Sequence, residues 1–405
     1  MNVNIVIPKK TNFLDELHIE SKVLEPFADI LVDFVNDVSK AILKDNFFKQ
    51  YPELMALAFW MRKSHIKELE KYFLEIKKDK LLIGRGIVFH LAPSNVDTIF
   101  VYSWFISLLV GNSNILRISD KENIQTELLL NVISEVLYNE KYKILQNRVA
   151  IIRYGHIDEI TQKLSNMADI RVIWGGDSTI KHIRTIPIKP TAIELTFADK
   201  FSFAIIKSKK LLEDKNIDIL IEKFYNDAFW FGQMACSSIR LVVWVGNDEE
   251  NKKAQDIFWN NLNKYVMKNR PDEIVPADIV NKLVAQCSMA IENQVTIQNS
   301  DNPYINRVKI KSLSEVSEDL HCGTGLFYEL ELEKFEDILP NIRKKHQTIA
   351  QYGFNKDELI NTIYQNMPNG IDRIVPIGKS LDFSYIWDGY DLFRSFCREI
   401  EVLEY

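Results

Sequence analysis

The chain has 405 residues, 46% apolar and 26% charged, a globular balance long enough for more than one domain and for large cores. Its 50 Lys and Arg against 56 Asp and Glu leave a net charge of −6, which argues against a general nucleic-acid binder but is compatible with an anionic substrate in a local basic pocket. Four cysteines, Cys236, Cys287, Cys322 and Cys397, are widely spaced with no CxxC pair, so no metal site and no redox dithiol are expected. Free thiols in a reducing compartment follow. The opening stretch "MNVNIVIPKKTNFLDELHIE" lacks the basic-then-apolar pattern of a secretory signal. The most apolar stretch, "TIFVYSWFISLLVG" at 98–111, is shorter than the ~20 residues of a membrane-spanning helix. A buried helix and a cytoplasmic protein are the expectation.

Residues 13–80 read as helical, with Leu, Lys, Glu and Phe at three- and four-residue spacings. From Gly84 the texture changes. Gly86–Leu91 reads as a strand, then come a Pro-Ser-Asn turn, the apolar helix, a Gly-Asn turn and a strand at Asn114–Ile118. An amphipathic helix spans 121–141, and strands at 147–155 and 169–176 flank the helix "HIDEITQKLSNMA". Gly175-Gly176-Asp177 leads into the helix "STIKHIRTI". After 197 the alternation restarts with "FSFAIIK", a helix running to near Cys236, the strand "RLVVWVG" and a long polar helix. Short apolar strands alternating with helices predict α/β architecture, as two doubly wound domains with mostly parallel sheets. Such sheets bind ligands at the carboxyl ends of their strands, which directs attention to the turns at 92–97, 111–114 and 175–179.

The chemistry-bearing candidates are few. No GxGxxG follows a strand, and Gly84-Arg-Gly86 precedes one, as a turn would. In "VIWGGDSTI" a strand ends in two glycines, with Asp177, Ser178 and Thr179 placed either to cap a helix or to hold a phosphate at its N-terminus. Asn95 in "APSNVD" is a turn former by default, or an amide aimed at a developing oxyanion. Glu194 in "PTAIELTFADKF" sits on an exposed strand edge, or is partly buried as a base. Cys236 follows an aromatic-rich helix and precedes a strand; it is a core thiol, or a nucleophile activated by dipoles or by a residue distant in sequence.

In order along the chain these pieces resemble the aldehyde dehydrogenase superfamily, and more closely its acyl-CoA reductase branch, which includes the LuxC-type fatty acid reductases. The resemblance covers roughly residues 80–395. "PSN" is similar to "PWN", "GNSNILRISD" to "GNTVVLKPSE", "IELTFADK" to "LELGGK", and "GQMAC" to "GQxC". "WGGDSTIKHIR" and "DRIVPIGKSLDFSYIWDGYDL" resemble the acyl-CoA reductase branch in particular. The departures are an additional residue before Cys236, the missing glycines after Glu194, and Arg117 in place of a lysine.

The resemblance implies an aldehyde dehydrogenase-like fold with the active site between two domains. It implies reduction of an acyl-CoA or acyl-carrier thioester, of fatty chain, to the aldehyde. Cys236 would be the nucleophile, Asn95 the oxyanion donor and Glu194 a proton-handling group. Arg117, Ser119, Asp120, Gly175, Gly176, Asp177, Ser178 and Thr179 would hold the cofactor, NADPH in preference to NADH. Asp120 stands where an acidic residue favours a free 2′-hydroxyl, while Arg117 and Lys121 suit a 2′-phosphate. The implied division is an N-terminal helical segment (1–80), a cofactor domain (81–196), a catalytic domain (197–370) and a C-terminal segment (371–405) that packs back or joins an oligomer contact. Partners would be the acyl-CoA or acyl-carrier protein, an acyl-protein synthetase or thioesterase, and further copies of the chain in a homo-oligomer. Two alternatives are an aldehyde-oxidising dehydrogenase of the same fold and a non-catalytic scaffold of an acyl-transfer complex.

Overall fold

A computed structural model describes residues 3–8, 13–92, 99–120, 123–269, 275–293, 295–298 and 302–403. The chain folds as two compact units, residues 1–198 with 383–405, and residues 199–382. In chain order the first unit contains β1 (Asn4–Ile7), α1 (Asp29–Lys44), α2 (Pro52–Trp60), α3 (Lys63–Lys77), β2 (Leu81–Gly84), β3 (Ile87–Leu91), α4 (Ile99–Leu109), β4 (Ser113–Ile118), α5 (Ile124–Leu137), β5 (Val149–Arg153), α6 (Asp158–Met167), β6 (Ile170–Trp174), α7 (Asp177–Ile183) and β7 (Ile193–Phe197).

Among the described residues its main sheet has six strands in the order β1-β5-β4-β3-β6-β7. All neighbours are parallel except β1, which lies antiparallel to β5. Strands covered on both faces are apolar throughout rather than alternating, and every residue of β3 and β6 is buried. The chain moves outward from β3 to β4 and β5, then crosses back to β6 on the other side of β3. That reversal makes a switch point at the carboxyl ends of β3 and β6, where open α/β sheets bind ligands.

Helix α4 is apolar on every face because it is enclosed: Trp104, Phe105, Ile106, Leu108 and Leu109 are wholly buried. At 11 residues it is half the length of a membrane span. No helix among the described residues is long and apolar enough to cross a membrane. Of the three turns expected at the ligand edge, 111–114 lies elsewhere. It enters β4 at the amino end, with Asn112, Ser113 and Asn114 buried. Asn112 Nδ2 donates to Phe396 O and its Oδ1 accepts from Gly86 N–H, so that turn is a structural joint.

The second unit contains β8 (Phe201–Lys207), α8 (Ser208–Glu213), α9 (Ile217–Phe229), β9 (Ile239–Val245), α10 (Asp248–Asn269), α11 (Pro276–Glu292), β10 (Thr296–Gln298), β11 (Asn306–Lys309), β12 (Leu326–Leu332), β13 (His346–Tyr352), α12 (Lys356–Asn366) and β14 (Arg373–Pro376). Its sheet order is β10-β11-β12-β9-β8-β13-β14, parallel except for β10 against β11. One charge inside this core is fully accounted for. Glu329 of β12 accepts from the indoles of Trp244 and Trp259 and from Arg307 at 3.1, 2.5 and 3.2 Å, as a buried carboxylate must.

The tail 371–405 is shared between the units. Strand β14 completes the second sheet, whereas β15 (Ile386–Trp387), β16 (Tyr390–Asp391), α13 (Leu392–Phe396) and β17 (Cys397–Ile400) belong to the first unit. Strand β17 pairs antiparallel with β2, and Phe383 stacks on Tyr102 and Trp387. In the second unit, the wholly enclosed Asp227 at the end of α9 bridges the tail's turn, accepting from Gly378 N–H at 2.6 Å and Ser380 N–H at 3.1 Å.

Burial pushes the Asp227 carboxyl up to about 6, against the hydrogen bonds that favour its anion. A group whose folded pKa exceeds its unfolded value stabilises the fold at low pH and loses that contribution as pH rises through the folded pKa. The advantage of the wild type over Asp227→Asn in urea unfolding is therefore expected to shrink by about 2 kcal/mol between pH 4 and pH 7. A pH-independent difference contradicts this reading.

Candidate active site

The expected helix up to Cys236 ends earlier, at Phe229, and a strained turn replaces its last residues. Phe231, Gly232 and Gln233 all have left-handed backbone angles, with φ of 54°, 59° and 66°. For the two that are not glycine this conformation costs of order 1 kcal/mol or more each. The neighbouring loop makes the turn tight: a Cβ on Gly323 would lie 2.4 Å from Gly232 O, so only glycine admits the approach.

The side chain of Gln233 holds the turn in place. It is completely buried; Nε2 donates to Ile239 O at 2.9 Å and Leu326 O at 3.0 Å, and Oε1 accepts from Gly325 N–H at 2.8 Å. Thr324 N–H adds a bond to Gly232 O at 2.9 Å. One amide thus ties the turn to the beginnings of β9 and β12, and both its donors and its acceptor are used. The turn delivers Cys236 half-buried at the amino end of the sheet, where Ser202 Oγ donates to Cys236 O at 2.7 Å. Cys236 forms no disulfide.

Arg240, at the start of β9, reaches back over this turn. Its Nη2 donates to Met234 O at 3.4 Å and its Nη1 to Lys200 O at 3.5 Å, and its Nε–H is buried without a hydrogen-bond partner. Burial pushes its guanidinium down, and electrostatic interaction with Cys236, Asp199 and Glu318 acts in the opposite sense. The nearby His321 is enclosed and neutral: Nε2–H donates to Leu326 O at 2.7 Å, Nδ1 accepts from Gly323 N–H, and burial followed by Arg240 pushes its pKa down to about 3. The apolar residues around the turn divide. Phe229 is core, packed on Tyr225 and Phe327, Trp230 and Phe231 are half-buried, and Met234 is 40% exposed.

In the first unit the remaining candidates lie at the carboxyl ends of β4 and β6. Arg117 closes β4, with Nε donating to Tyr154 O at 3.1 Å and the guanidinium 5.5 Å from the Tyr154 ring centre. Ser119 is half-buried and Asp120 exposed just beyond it. Gly175 follows β6, Gly176 is the N-cap of α7, and Asp177, Ser178 and Thr179 are exposed in its first turn. The N-cap, Gly176, has no side chain with which to cap the helix, so its first N–H groups need acceptors from elsewhere. Gly175 is packed against Thr179, where a Cβ would lie 3.2 Å from its methyl. These residues fit the phosphates of a dinucleotide. Asn95 and Lys121 lie outside the described residues. Among the described residues no group of three or more His, Cys, Asp or Glu is placed to hold a metal.

Glu194 is on β7, the edge strand, with its side chain 15% exposed. Arg171 Nε and Nη2 donate to its Oε2 at 2.8 and 2.5 Å, and Arg184 Nε donates to its Oε1 at 2.9 Å. Arg171 also bonds Ser165 Oγ and Ile186 O, so the pair is built into the sheet. Both carboxylate oxygens are therefore engaged by arginine. Sequence reasoning missed Gln233, Arg240, Arg171 and Arg184. A lone arginine heading the apolar run "RLVVWV" was the available signal for Arg240.

Replacing Gln233 by alanine strands three backbone groups and is expected to cost about 3 kcal/mol, read as a lower unfolding midpoint, together with loss of a single reactivity class for Cys236. Unchanged stability would remove the amide from this role. Glu194→Gln breaks a mostly buried pair and is expected to destabilise by about 3 kcal/mol. A loss below about 0.5 kcal/mol would place the pair with surface ion pairs.

The family described as Acyl-CoA reductase (LuxC) matches residues 78–398, well over half of the chain. A long-chain acyl-protein thioester reductase of Aliivibrio fischeri is 26% identical over 195 residues, 47% of this chain and 37% of that protein. One from Photorhabdus laumondii is 22% identical over 275 residues, 66% of this chain and 53% of that protein. The chain thus spans about half or less of the length of these curated relatives. Among solved structures, lactaldehyde dehydrogenase from Escherichia coli superposes with a TM-score of 0.62 at 12% identity, covering 91% of this chain and 85% of that one. An NAD-dependent benzaldehyde dehydrogenase from Corynebacterium glutamicum gives 0.57 at 11% identity, covering 93% and 85%. The fold is that of the aldehyde dehydrogenases, and the chain belongs to the acyl-CoA reductase (LuxC) family.

Proposed function

We propose that this protein reduces a fatty acyl thioester to the aldehyde through an acyl-cysteine on Cys236. The observation that carries the reading is the strained, amide-pinned turn that presents Cys236, in a chain whose relatives are named long-chain acyl-protein thioester reductases. A cysteine that only filled a core would need no such turn.

The thiolate of Cys236 attacks the acyl carbonyl, and the Asn95 amide with the Cys236 N–H receives the oxyanion. The carrier thiol, from CoA or an acyl-carrying protein, departs and takes a proton from solvent. The cofactor is a nicotinamide, NADPH in preference to NADH, and when bound it supplies the hydride that reduces the acyl-cysteine. Cys236 then leaves as thiolate and releases the aldehyde. Arg117, Ser119 and Asp120 at the end of β4 would hold the adenosine ribose side, where Arg117 would supply the charge that a 2′-phosphate needs. Gly175, Gly176 and the first turn of α7, Asp177, Ser178 and Thr179, would hold the pyrophosphate. The residues 81–196 thereby act as the cofactor domain and 197–370 as the catalytic domain.

Glu194 takes a narrower part than that of a base. A reductase needs no activated water, and a carboxylate with both oxygens on arginines would have to release one of them to carry a proton. It anchors Arg171 and Arg184, and through Arg184 the end of α7. The acyl donor is delivered by a carrier or by an acyl-protein synthetase or thioesterase partner, the chain acts in the cytoplasm, and it assembles as a homo-oligomer.

A panel of acyl thioesters assayed with NADPH and NADH is expected to yield aldehyde, with a kcat/KM preference for NADPH that falls in Arg117→Gln. Asn95→Ala is expected to lower kcat by ~10²–10³. In single-turnover assays Glu194→Gln is expected to keep its rates of acylation and hydride transfer; a loss of ~10² or more makes it a proton carrier. Oxidation of free aldehyde without any thiol, and no reduction of thioesters, would instead identify an aldehyde-oxidising dehydrogenase.

A further inference from the structure

We propose that Lys282 is a positioning residue for the turn that presents Cys236. Its buried ammonium bridges the carbonyls of Pro303 and Thr324, and so fixes the peptide group that holds the Gln233 amide. The inference rests on Cys236 being the reacting cysteine, and it identifies what keeps the Gln233 pin itself in place.

Helix α11 packs against its own hydrophobicity. Lys282, Ala285, Gln286 and Met289 are buried, whereas Val280, Leu283, Val284 and Ile291 are more than half exposed. Lysine and glutamine are seldom enclosed, and a buried ammonium is costly unless its protons find acceptors. Lys282 is 2% exposed, and its Nζ donates to Pro303 O at 2.5 Å and to Thr324 O at 3.1 Å. Gln286, one turn on, accepts at Oε1 from Asn306 Nδ2 at 3.0 Å. Polar contacts, rather than apolar burial, thus set which face of α11 turns inward.

These contacts converge on one dipeptide. Thr324 N–H donates to Gly232 O at 2.9 Å, and Gly325 N–H to Gln233 Oε1 at 2.8 Å. Gly325 O accepts from Asn306 N–H at 2.9 Å. With Lys282 on Thr324 O, all four backbone groups of Thr324-Gly325 are bonded, two to the turn and two to the structure behind it. Thr324 O and Gly325 N–H belong to the same peptide group, so the ammonium lies one peptide away from the Gln233 amide. A cation on that carbonyl polarises the peptide and strengthens the bond its N–H donates. Position is as strict as charge. Gly325 has a φ of 91°, and a Cβ on it would lie 1.8 Å from Tyr304 O, so the two segments that Lys282 bridges are in direct backbone contact. A displacement of 324–325 is therefore passed to Gln233, and through it to the left-handed turn and Cys236.

Iodoacetamide modification, followed peptide by peptide with no acyl substrate present, tests this. Lys282→Met keeps the stem of the side chain and removes the ammonium. It is expected to split the single reactivity class of Cys236 into at least two, differing by about fivefold or more, while Lys282→Arg stays within about twofold of the wild type. Because Lys282 acts through Gln233, the double variant with Gln233→Ala is expected to match Gln233→Ala alone within about twofold. The exposed Cys287, on the outer face of the same helix, is expected to keep its rate. A folded Lys282→Met protein with wild-type Cys236 kinetics overturns the proposal. So do effects that multiply in the double variant, or a change at Cys287 as large as that at Cys236. Should Lys282→Met not fold, the unmodified protein in urea below its unfolding transition decides. Acetylation of Lys282 and the change in Cys236 kinetics are expected at the same urea concentration, and Cys236 kinetics that change while Lys282 stays protected overturn the proposal. Split Cys236 kinetics in Lys282→Met, from a parent protein that forms no acyl adduct, would support Lys282 while rejecting the thioester reductase reading.

Discussion

The buried amide of Gln233 is the constraint on which the candidate site depends. Three consecutive left-handed residues are unfavourable on their own, and a helix leading straight into β9 would have been the cheaper path. The amide makes the strained path stable because its three bonds go to backbone groups that would otherwise be buried without partners. Once the turn is set, the rest follows locally. Cys236 is lifted to the amino end of the sheet, its carbonyl is taken by Ser202, and Arg240 is brought back over Met234. The additional residue between Gln233 and Cys236, relative to the "GQxC" pattern, sits in this turn.

The first unit is built differently. Its carboxyl edge combines two glycines and the start of a short helix after β6 with the side chains of Arg117, Ser119 and Asp120 after β4. Further charges are placed behind it. Glu194 on β7 joins Arg171 of β6 to Arg184 at the end of α7, so an edge strand, a central strand and the short helix are held by one carboxylate. That arrangement explains why a charged residue interrupts the apolar run "AIELTF": it is bound on both sides and needs no solvent.

Much of this was legible because parallel strands buried on both faces leave continuous apolar runs. "IRVIW", "FSFAIIK" and "RLVVWV" announce β6, β8 and β9, and Cys236 could be singled out by its place between a helix and such a run. What was hidden depends on partners far along the chain. Nothing in "LLIG" reveals that β2 pairs with "CREI" of β17, and nothing in the aromatic tail says that Phe383 and Trp387 pack against the helices of the first unit. The left-handed turn was hidden for another reason: Phe and Gln have no preference for positive φ, and a glutamine is by default expected at the surface. Glu194 could be read as special from its apolar neighbours, yet its meaning lay in two arginines 23 and 10 residues away.

The central claim is that Cys236 carries the acyl group. Intact and peptide mass measurement after mixing the protein with a long-chain acyl thioester, with no nicotinamide present, tests it most directly. The account predicts one acyl group per chain, on the peptide containing Cys236, lost in Cys236→Ala and released as aldehyde when NADPH is added. An unmodified Cys236 in a protein that still forms aldehyde would contradict it.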